Sequence, residues 1–288
     1  MQIEEIDVVC GDGYVLKGRL FYVNHPEGQN IIIINPALAV PQSYYARFAT
    51  YAANHGYAII TYDYRGIGES YDAEIDGSSI LLEHWGRFDF NAILQKSLTE
   101  LDPKQIYVIG HSAGGQLIGL AEHSSAIDGI ILVTSPSGYW RYYKSPFRYF
   151  LAFFWHIMLP ALNRGKSYFP AHKIGLGSGD VPSGVIRQWA EWCRSKDYLF
   201  AEEHGLELSR YSSLSIPICA YTFTDDSFAP PSAVDALLSQ YPAAKIEHRI
   251  LQPSDLGMKS VGHFGFFRDH MQNVLWDQVF EWFAVTED

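Results

Sequence analysis

One serine of the chain stands where a nucleophile could work. Ser112 lies in the pentapeptide Gly110–Gly114, a G-x-S-x-G pattern, and a third glycine, Gly115, follows directly. Glycines on both sides suit a sharp turn from a strand into a helix, because only small neighbours allow the strained backbone that exposes the hydroxyl. That hydroxyl is a weak nucleophile until a base takes its proton, and the base needs a carboxylate to orient it. The sequence must therefore supply a histidine and an acid near Ser112.

Among the 11 histidines, His263 has the most suitable position. It lies in the glycine-flanked loop Gly262–Gly265, between a predicted strand at Ile246–Leu251 and the last predicted helix. Loops that follow parallel strands gather at the carboxyl edge of a sheet, where Ser112 is expected. We therefore predict His263 as the base. His111, adjacent to the serine, cannot reach back around it and is interpreted as packing of the turn.

Two neighbouring aspartates could supply the orienting carboxylate. Asp225 and Asp226 both lie in the loop that follows the predicted strand Ile216–Tyr221. That loop is expected at the same edge of the sheet as the serine and the histidine. Spacing alone does not separate the two residues.

The elements that must position these groups follow from the apolar pattern. Short runs rich in Val and Ile alternate with longer segments of helical spacing, which predicts an α/β fold with a mostly parallel sheet flanked by helices. The continuous run Ile31–Ile34 suits a strand buried on both faces. A predicted strand at Gln105–Ile109 and a predicted helix at Ala113–Ser124 flank the serine. They supply the strand-turn-helix that an exposed nucleophile needs.

One connection is too long to be a simple crossover. About 80 residues separate the predicted strand that ends at Thr134 from the next one. This stretch has helical patterns of its own, so we expect an insertion. The predicted organisation is a catalytic domain made of residues 1–135 and 206–288, with a helical cap, or lid, at residues 136–205.

Composition argues against several classes of protein. The net charge of −11 disfavours nucleic-acid binding, which needs a basic footprint. Three distant cysteines, Cys10, Cys193 and Cys219, favour neither a disulfide framework nor a zinc site and fit a reducing, cytoplasmic compartment. No apolar stretch reaches the roughly 20 residues of a membrane span, and the acidic start lacks a signal-peptide pattern. We expect no metal and no cofactor, since no motif for either is present.

The chain order of the serine, the aspartate pair and His263 resembles the α/β-hydrolase superfamily, whose nucleophile, acid and histidine follow in that order. Three further segments are similar to motifs of that superfamily: Asp63–Ser70 to its D-x-R-G-x-G-x-S turn, Asp226–Pro230 to its D-x-x-x-P, and Gly262–Phe264 to its histidine loop. The resemblance implies the α/β-hydrolase fold and Asp226 as the triad acid. Within the expected cap, Gly177–Val185 and Gln188–Arg194 resemble a largely uncharacterised subgroup of serine hydrolases related to the serine aminopeptidase and monoacylglycerol lipase type.

Acyl transfer also needs N–H donors for the oxyanion that forms on the substrate. Where the superfamily commonly has His-Gly after the third strand, this chain has Asn35-Pro36-Ala37-Leu38. Pro36 has no N–H and cannot donate. We therefore expect Ala37, or Leu38 if the turn is one residue longer, to donate together with Ala113.

Aromatic residues are concentrated in the expected cap. Residues 139–169 hold 12 aromatic side chains, and residues 129–179 hold six Lys or Arg and no Asp or Glu. We expect some of these aromatic residues to line an apolar tunnel above Ser112, with Arg141, Lys144 or Arg148 near its mouth. The alternative is an interface, either a homodimer through the cap or a contact with an anionic membrane surface. The side chains expected to line the substrate site are Leu38, His111, Tyr139, Trp140, Phe147 and Trp189.

These residues predict a serine hydrolase that cleaves a carboxylic ester, thioester or amide of an apolar small molecule through an acyl-Ser112 intermediate. Two alternatives are compatible with the same residues. An acyltransferase would resolve the same acyl-enzyme with an alcohol or a thiol. A binding module would keep the fold with an idle triad.

Overall fold

A central eight-stranded sheet organises the computed structural model, which describes residues 1–175 and 177–286 of the chain. In these residues the strands are β1 (Gln2–Val9), β2 (Val15–Tyr22), β3 (Ile31–Asn35), β4 (Ala58–Tyr62), β5 (Ile106–His111), β6 (Gly129–Val133), β7 (Tyr168–Phe169), β8 (Val181–Pro182), β9 (Pro217–Phe223) and β10 (Lys245–Leu251). The spatial order of the large sheet is β1-β2-β4-β3-β5-β6-β9-β10. β1, β2 and β4 pair antiparallel, and every later pair in this sheet is parallel. The predicted α/β-hydrolase fold class is confirmed.

Helices cover both faces of this sheet. Those in the described residues are α1 (Ala46–Asn54), α2 (Leu82–His84), α3 (Asn91–Glu100), α4 (Ala113–Gln116), α5 (Phe147–Phe153), α6 (Leu159–Asn163), α7 (Ser183–Arg194), α8 (Ser209–Ser213), α9 (Pro231–Leu238) and α10 (Asp277–Thr286). A π-helical stretch joins α2 to α3, and another, Phe154–Met158, joins α5 to α6. The connection between β6 and β9 contains α5 to α8 and the separate β7–β8 ribbon.

The isoleucine run shows why the sheet is covered on both sides. All five residues of β3 are buried. Ile31 and Ile33 belong to one hydrophobic cluster, and Ile32 and Ile34 belong to the other. Because successive side chains of a strand point to opposite faces, an uninterrupted apolar run requires a core on each side.

The prediction of one continuous helix over Ala113–Ser124 is wrong. α4 ends at Gln116, and two short 3₁₀ turns follow. Glycines make a helix interior less favourable by about 1 kcal/mol each relative to alanine, and Gly114, Gly115 and Gly119 fall within these few turns. A Cβ on Gly119 would lie 2.5 Å from the Tyr211 ring, so close packing requires a glycine at this position.

Candidate active site

The turn between β5 and α4 holds Ser112 in a strained conformation. Its backbone has φ 51° and ψ −117°, a region that residues other than glycine rarely occupy. A Cβ on Gly114 would lie 2.2 Å from the Asn35 carbonyl oxygen, and one on Gly110 would lie 2.4 Å from the Gly115 Cα. The glycines therefore let the turn pack directly against its neighbours. The serine hydroxyl is presented at the carboxyl edge of the parallel strands, at the start of α4.

A continuous hydrogen-bonded chain connects Ser112, His263 and Asp226. The serine Oγ lies 2.9 Å from His263 Nε2, and His263 Nδ1 lies 2.7 Å from Asp226 Oδ2. With the proton of the neutral imidazole on Nδ1, the histidine donates to the carboxylate, and the serine hydroxyl donates to Nε2. The side chain of Asp226 is fully buried, and its other oxygen accepts the Phe228 N–H at 2.8 Å. This is the geometry that general-base activation of a serine requires.

Asp225 has a different set of partners from its neighbour. Its carboxylate accepts the backbone N–H of Val261 at 2.8 Å and that of Gly262 at 3.1 Å. These two residues directly precede His263. The structure thus separates the aspartates that spacing left open: Asp226 contacts the imidazole, and Asp225 holds the loop that carries it.

His111 lies behind the site and does not line it. The residue is fully buried, with Nδ1 2.9 Å from the Tyr45 hydroxyl and Nε2 2.9 Å from the His263 carbonyl oxygen. Since a carbonyl oxygen only accepts, the proton of the neutral ring is on Nε2, and the tyrosine hydroxyl donates to Nδ1. Burial lowers the pKa of His111 to about 3, with the nearby His263 ring as a smaller cause, so the imidazole is neutral near pH 7. The expectation that His111 lines the substrate site is corrected.

Tyr45 also removes one expected donor from the oxyanion position. The N–H of Ala37 donates to the Tyr45 hydroxyl at 2.9 Å, which leaves it no free hydrogen for a substrate. Leu38, the alternative that the sequence offered, lies in the following turn, which the Val40 N–H closes on the Ala37 carbonyl. Its own N–H donates no hydrogen bond within residues 1–175 and 177–286. The prediction of Ala37 as a donor is therefore wrong, and Leu38, the alternative, becomes the candidate to pair with the first N–H of α4 at Ala113.

A mostly apolar cavity of about 300 Å³ opens beside Ser112 and His263. Of the side chains predicted for the substrate site, Leu38, Phe147 and Trp189 line this cavity, whereas Tyr139 and Trp140 lie outside its lining. Arg141, Lys144 and Arg148, expected near the mouth, do not line it either, and its described walls contain no Lys, Arg, Asp or Glu. Further walls that sequence reasoning missed come from the β6–β9 connection and the loop after β9: Tyr143, Phe150, Leu151, Phe154, Trp155, Met158 and Phe228.

A second hydroxyl–imidazole–carboxylate chain occurs elsewhere in the molecule. Thr222 Oγ1 lies 2.8 Å from His248 Nε2, and His248 Nδ1 lies 2.8 Å from Asp235 Oδ1. Here the hydroxyl belongs to a fully buried residue inside β9, and the aspartate is exposed. Distances alone therefore do not define a site. The combination of a strained, accessible serine with a buried acid and a cavity is found at Ser112.

Two further functional features are absent from the described residues. In residues 1–175 and 177–286, no group of three or more His, Cys, Asp or Glu side chains could hold a metal ion. None of the helices in these ranges has the length and apolar character needed to cross a membrane.

The sheet order, the serine turn and the hydrogen-bonded chain define the class of protein. The sequence model of the Alpha/beta hydrolase family matches residues 32–275, and the chain belongs to that family. No curated protein matches the sequence at a significant level.

Solved structures with the same fold cover almost the whole chain. DcsB, solved in complex with its substrate analogue, has a TM-score of 0.69 at 14% identity, covering 99% of this chain and 100% of its own. A thermophilic esterase from Thermogutta terrifontis has a TM-score of 0.61 at 14% identity, with coverage of 99% and 100%. An esterase from Exiguobacterium antarcticum has a TM-score of 0.60 at 12% identity, again covering 99% and 100%. At such identities the likeness establishes the fold.

Proposed function

We propose that the protein is a serine hydrolase that cleaves a carboxylic ester of an apolar small molecule. The observation that carries this proposal is the unbroken chain from Ser112 through His263 to the buried Asp226, with the serine in a strained turn beside an apolar cavity. Membership of the alpha/beta hydrolase family and the esterase folds among the similar structures support it. Thioesters and amides would follow the same chemistry.

The proposed mechanism begins with general-base activation of the serine. His263 Nε2 takes the Ser112 proton as Oγ attacks the carbonyl carbon of the substrate, while Asp226 stabilises the imidazolium that forms. The N–H groups of Leu38 and Ala113 donate to the oxyanion. Losing one such donor typically costs about 10²–10³ in rate. His263 then protonates the leaving alcohol, and the same residue activates water to release the acid from Ser112.

We further propose that residues 136–205 act as the cap over this site. Aromatic side chains on α5, on the π-helical stretch after it and on α7, such as Phe147, Phe154 and Trp189, form much of the cavity wall. An uncharged wall favours an uncharged acyl group, because burying an ion without a partner is costly. The cavity therefore supports an apolar acyl moiety as the specific part of the substrate.

Hydrolysis of p-nitrophenyl esters with acyl groups of increasing length tests both parts of the proposal. Ser112→Ala is expected to lower kcat by about 10⁴-fold or more. Thr222→Val, which removes the hydroxyl of the second chain, is the matched control and is expected to leave kcat within about threefold of the wild-type value.

For the wild type, kcat/KM is expected to rise by up to about fourfold for each methylene that the cavity accepts, and then to fall when the cavity is full. Equal rates for the wild type and Ser112→Ala contradict the hydrolase proposal. A loss in Ser112→Ala combined with no dependence on acyl length contradicts only the proposed acyl site. Transfer of the acyl group to added alcohols in preference to water would identify an acyltransferase.

A further inference from the structure

The helical segment from α5 to α6 is apolar on both of its sides. Leu151, Phe154, Trp155 and Leu159 are buried against the rest of the protein. On the solvent side lie four large apolar or aromatic side chains: Tyr149, Phe150, Phe153 and Ile157, with exposed fractions of 57%, 50%, 51% and 57%. We call these four residues the exposed aromatic face. A helix that is apolar all round is normally covered by protein or by lipid.

The members of this face lie close together on one side of the helix. Tyr149, Phe153 and Ile157 follow one another at intervals of four residues, about one helical turn, and Phe150 lies beside the first two. Phe150 stacks on Phe147 and on Phe154, with ring centroids 6.0 Å and 5.9 Å apart. This stacking holds the Phe150 ring in one orientation, so the face is an ordered surface.

Charge distinguishes the surroundings of this face from the rest of the protein. The chain has a net charge of −11, yet residues 129–179 carry six basic residues and no acidic one. Lys144 and Arg148 lie at the start of the helix, and Arg164 and Lys166 follow its end. Within the described part of the chain, none of these four side chains forms an ion pair. Arg148 donates to the Tyr149 hydroxyl and Lys166 lies over the Phe169 ring, and Asp76 and Glu191 share a cleft with Arg164 and Lys166 without pairing with them. Positive charge that no ion pair neutralises, at both ends of an aromatic face, suits a negatively charged, partly apolar partner.

We propose that the exposed aromatic face binds the surface of a lipid bilayer that contains anionic lipids. The aromatic and aliphatic side chains enter the boundary between headgroups and acyl chains, and the flanking lysines and arginines contact the anionic headgroups. Binding of a second copy through this face is disfavoured, because two-fold symmetry would place the same basic segment on both sides of the interface.

One residue links this surface to the cavity. Phe150 is half exposed on the aromatic face and also lines the cavity beside Ser112. Phe228, another cavity residue, is exposed as well. Docking through this face therefore holds the rim of the cavity at the bilayer surface. This consequence rests on the proposed function, whereas bilayer binding itself does not.

Co-sedimentation with vesicles tests the proposal, using Ser112→Ala so that turnover plays no part. One set of vesicles is pure phosphatidylcholine, and the other contains equal parts of phosphatidylcholine and phosphatidylglycerol. We expect binding to the mixed vesicles and a marked loss of binding at high salt. Adding Arg164→Gln and Lys166→Gln is expected to weaken binding about 30-fold, since each charge near an anionic surface contributes about fivefold.

Two double variants distinguish binding through the exposed aromatic face from nonspecific binding through any exposed apolar residue. Phe153→Ser with Ile157→Ser is expected to weaken binding about tenfold or more, without loss of fold because both side chains are half exposed. Val9→Ser with Ile250→Ser is the matched control, since these exposed apolar residues lie on β1 and β10. It is expected to bind like the parent protein.

Three results would overturn the proposal. They are absence of binding to the mixed vesicles, equal binding by the Phe153/Ile157 variant, and a dimer in sedimentation velocity that the Phe153/Ile157 variant abolishes while vesicles do not bind. Since turnover is absent from the assay, each of these results leaves the hydrolase proposal intact. Conversely, binding by a protein that lacks esterase activity would leave the docking proposal intact.

Discussion

Acid should destabilise the protein specifically through His111. This residue is fully buried, and its neutral ring accepts from the Tyr45 hydroxyl at Nδ1 and donates to the His263 carbonyl oxygen from Nε2. Burial lowers its pKa from an ordinary value of 6.5 to about 3. In the unfolded chain the same imidazole takes up a proton near pH 6.5, so between pH 6.5 and 3 the unfolded state binds more protons than the native state. The stabilisation is complete above pH 6.5 and is lost as the pH falls.

The magnitude follows from the size of this pKa difference. Stability falls by about 1.4 kcal/mol for each pH unit once the unfolded imidazole is charged and the native one is not. Between pH 7 and pH 4.5 the contribution of His111 therefore decreases by about 3 kcal/mol. This decrease is a substantial part of the free energy of unfolding of a typical protein, which is roughly 5–15 kcal/mol.

Urea unfolding of the wild type and of His111→Gln, at several pH values from 7 to 4.5, measures the contribution of His111 to the free energy of unfolding. Glutamine cannot be charged and can still donate to the His263 carbonyl. The two proteins share every other titrating group, so the difference between their pH dependences isolates His111. We expect the wild type to lose about 3 kcal/mol more than the variant over this range. Parallel curves for the two proteins would refute the reasoning, whatever the stability of the variant at pH 7.

Three further outcomes are expected from the site and its surroundings. Asp226→Asn should lower kcat by about 10⁴-fold, with a much smaller effect for Asp225→Asn; the reverse ranking in ester hydrolysis would show that the acid is misassigned. Gly114→Ala should lower the unfolding free energy by about 3 kcal/mol or more, because its Cβ would meet a backbone carbonyl oxygen at 2.2 Å. Wild-type stability in urea would argue against the packing described for the serine turn. Met158 lines the cavity, so Met158→Trp should abolish hydrolysis of long acyl esters while sparing acetyl esters. Ile157→Trp, on the solvent side of the same helical segment, is the control and should change neither rate. Equal profiles for the two variants would show that the cavity does not hold the acyl group.

Short-range patterns of residue type predict much of the fold. The run Ile31–Ile34 is apolar at every position, and only a strand buried on both faces satisfies it. The glycines around Ser112 likewise specify a turn that no other residue type would fit. By contrast, the end of α4 was mispredicted, since helical spacing over Ala113–Ser124 does not reveal that Gly119 packs against Tyr211.

Interactions between distant segments set the limit of prediction at the site. No local pattern shows that Tyr45, which precedes α1, reaches both His111 and the Ala37 N–H. Sequence reasoning therefore favours Ala37 as the oxyanion donor and gives Leu38 only as the alternative. Likewise, spacing does not separate Asp225 from Asp226, and only the resemblance implies Asp226, because the different directions and partners of the two side chains are properties of the folded loop. Tyr139 and Trp140 lie in an aromatic segment, but the sequence does not show which side chains of that segment turn toward the cavity.

Covalent labelling with a fluorophosphonate probe tests the central claim most directly. The probe reacts with a serine only when a base activates its hydroxyl. Digestion and mass spectrometry of the labelled wild type should locate the adduct on Ser112. The label should be absent from Ser112→Ala and retained in Thr222→Val. An unlabelled wild type, or an adduct on any other residue, would contradict the account.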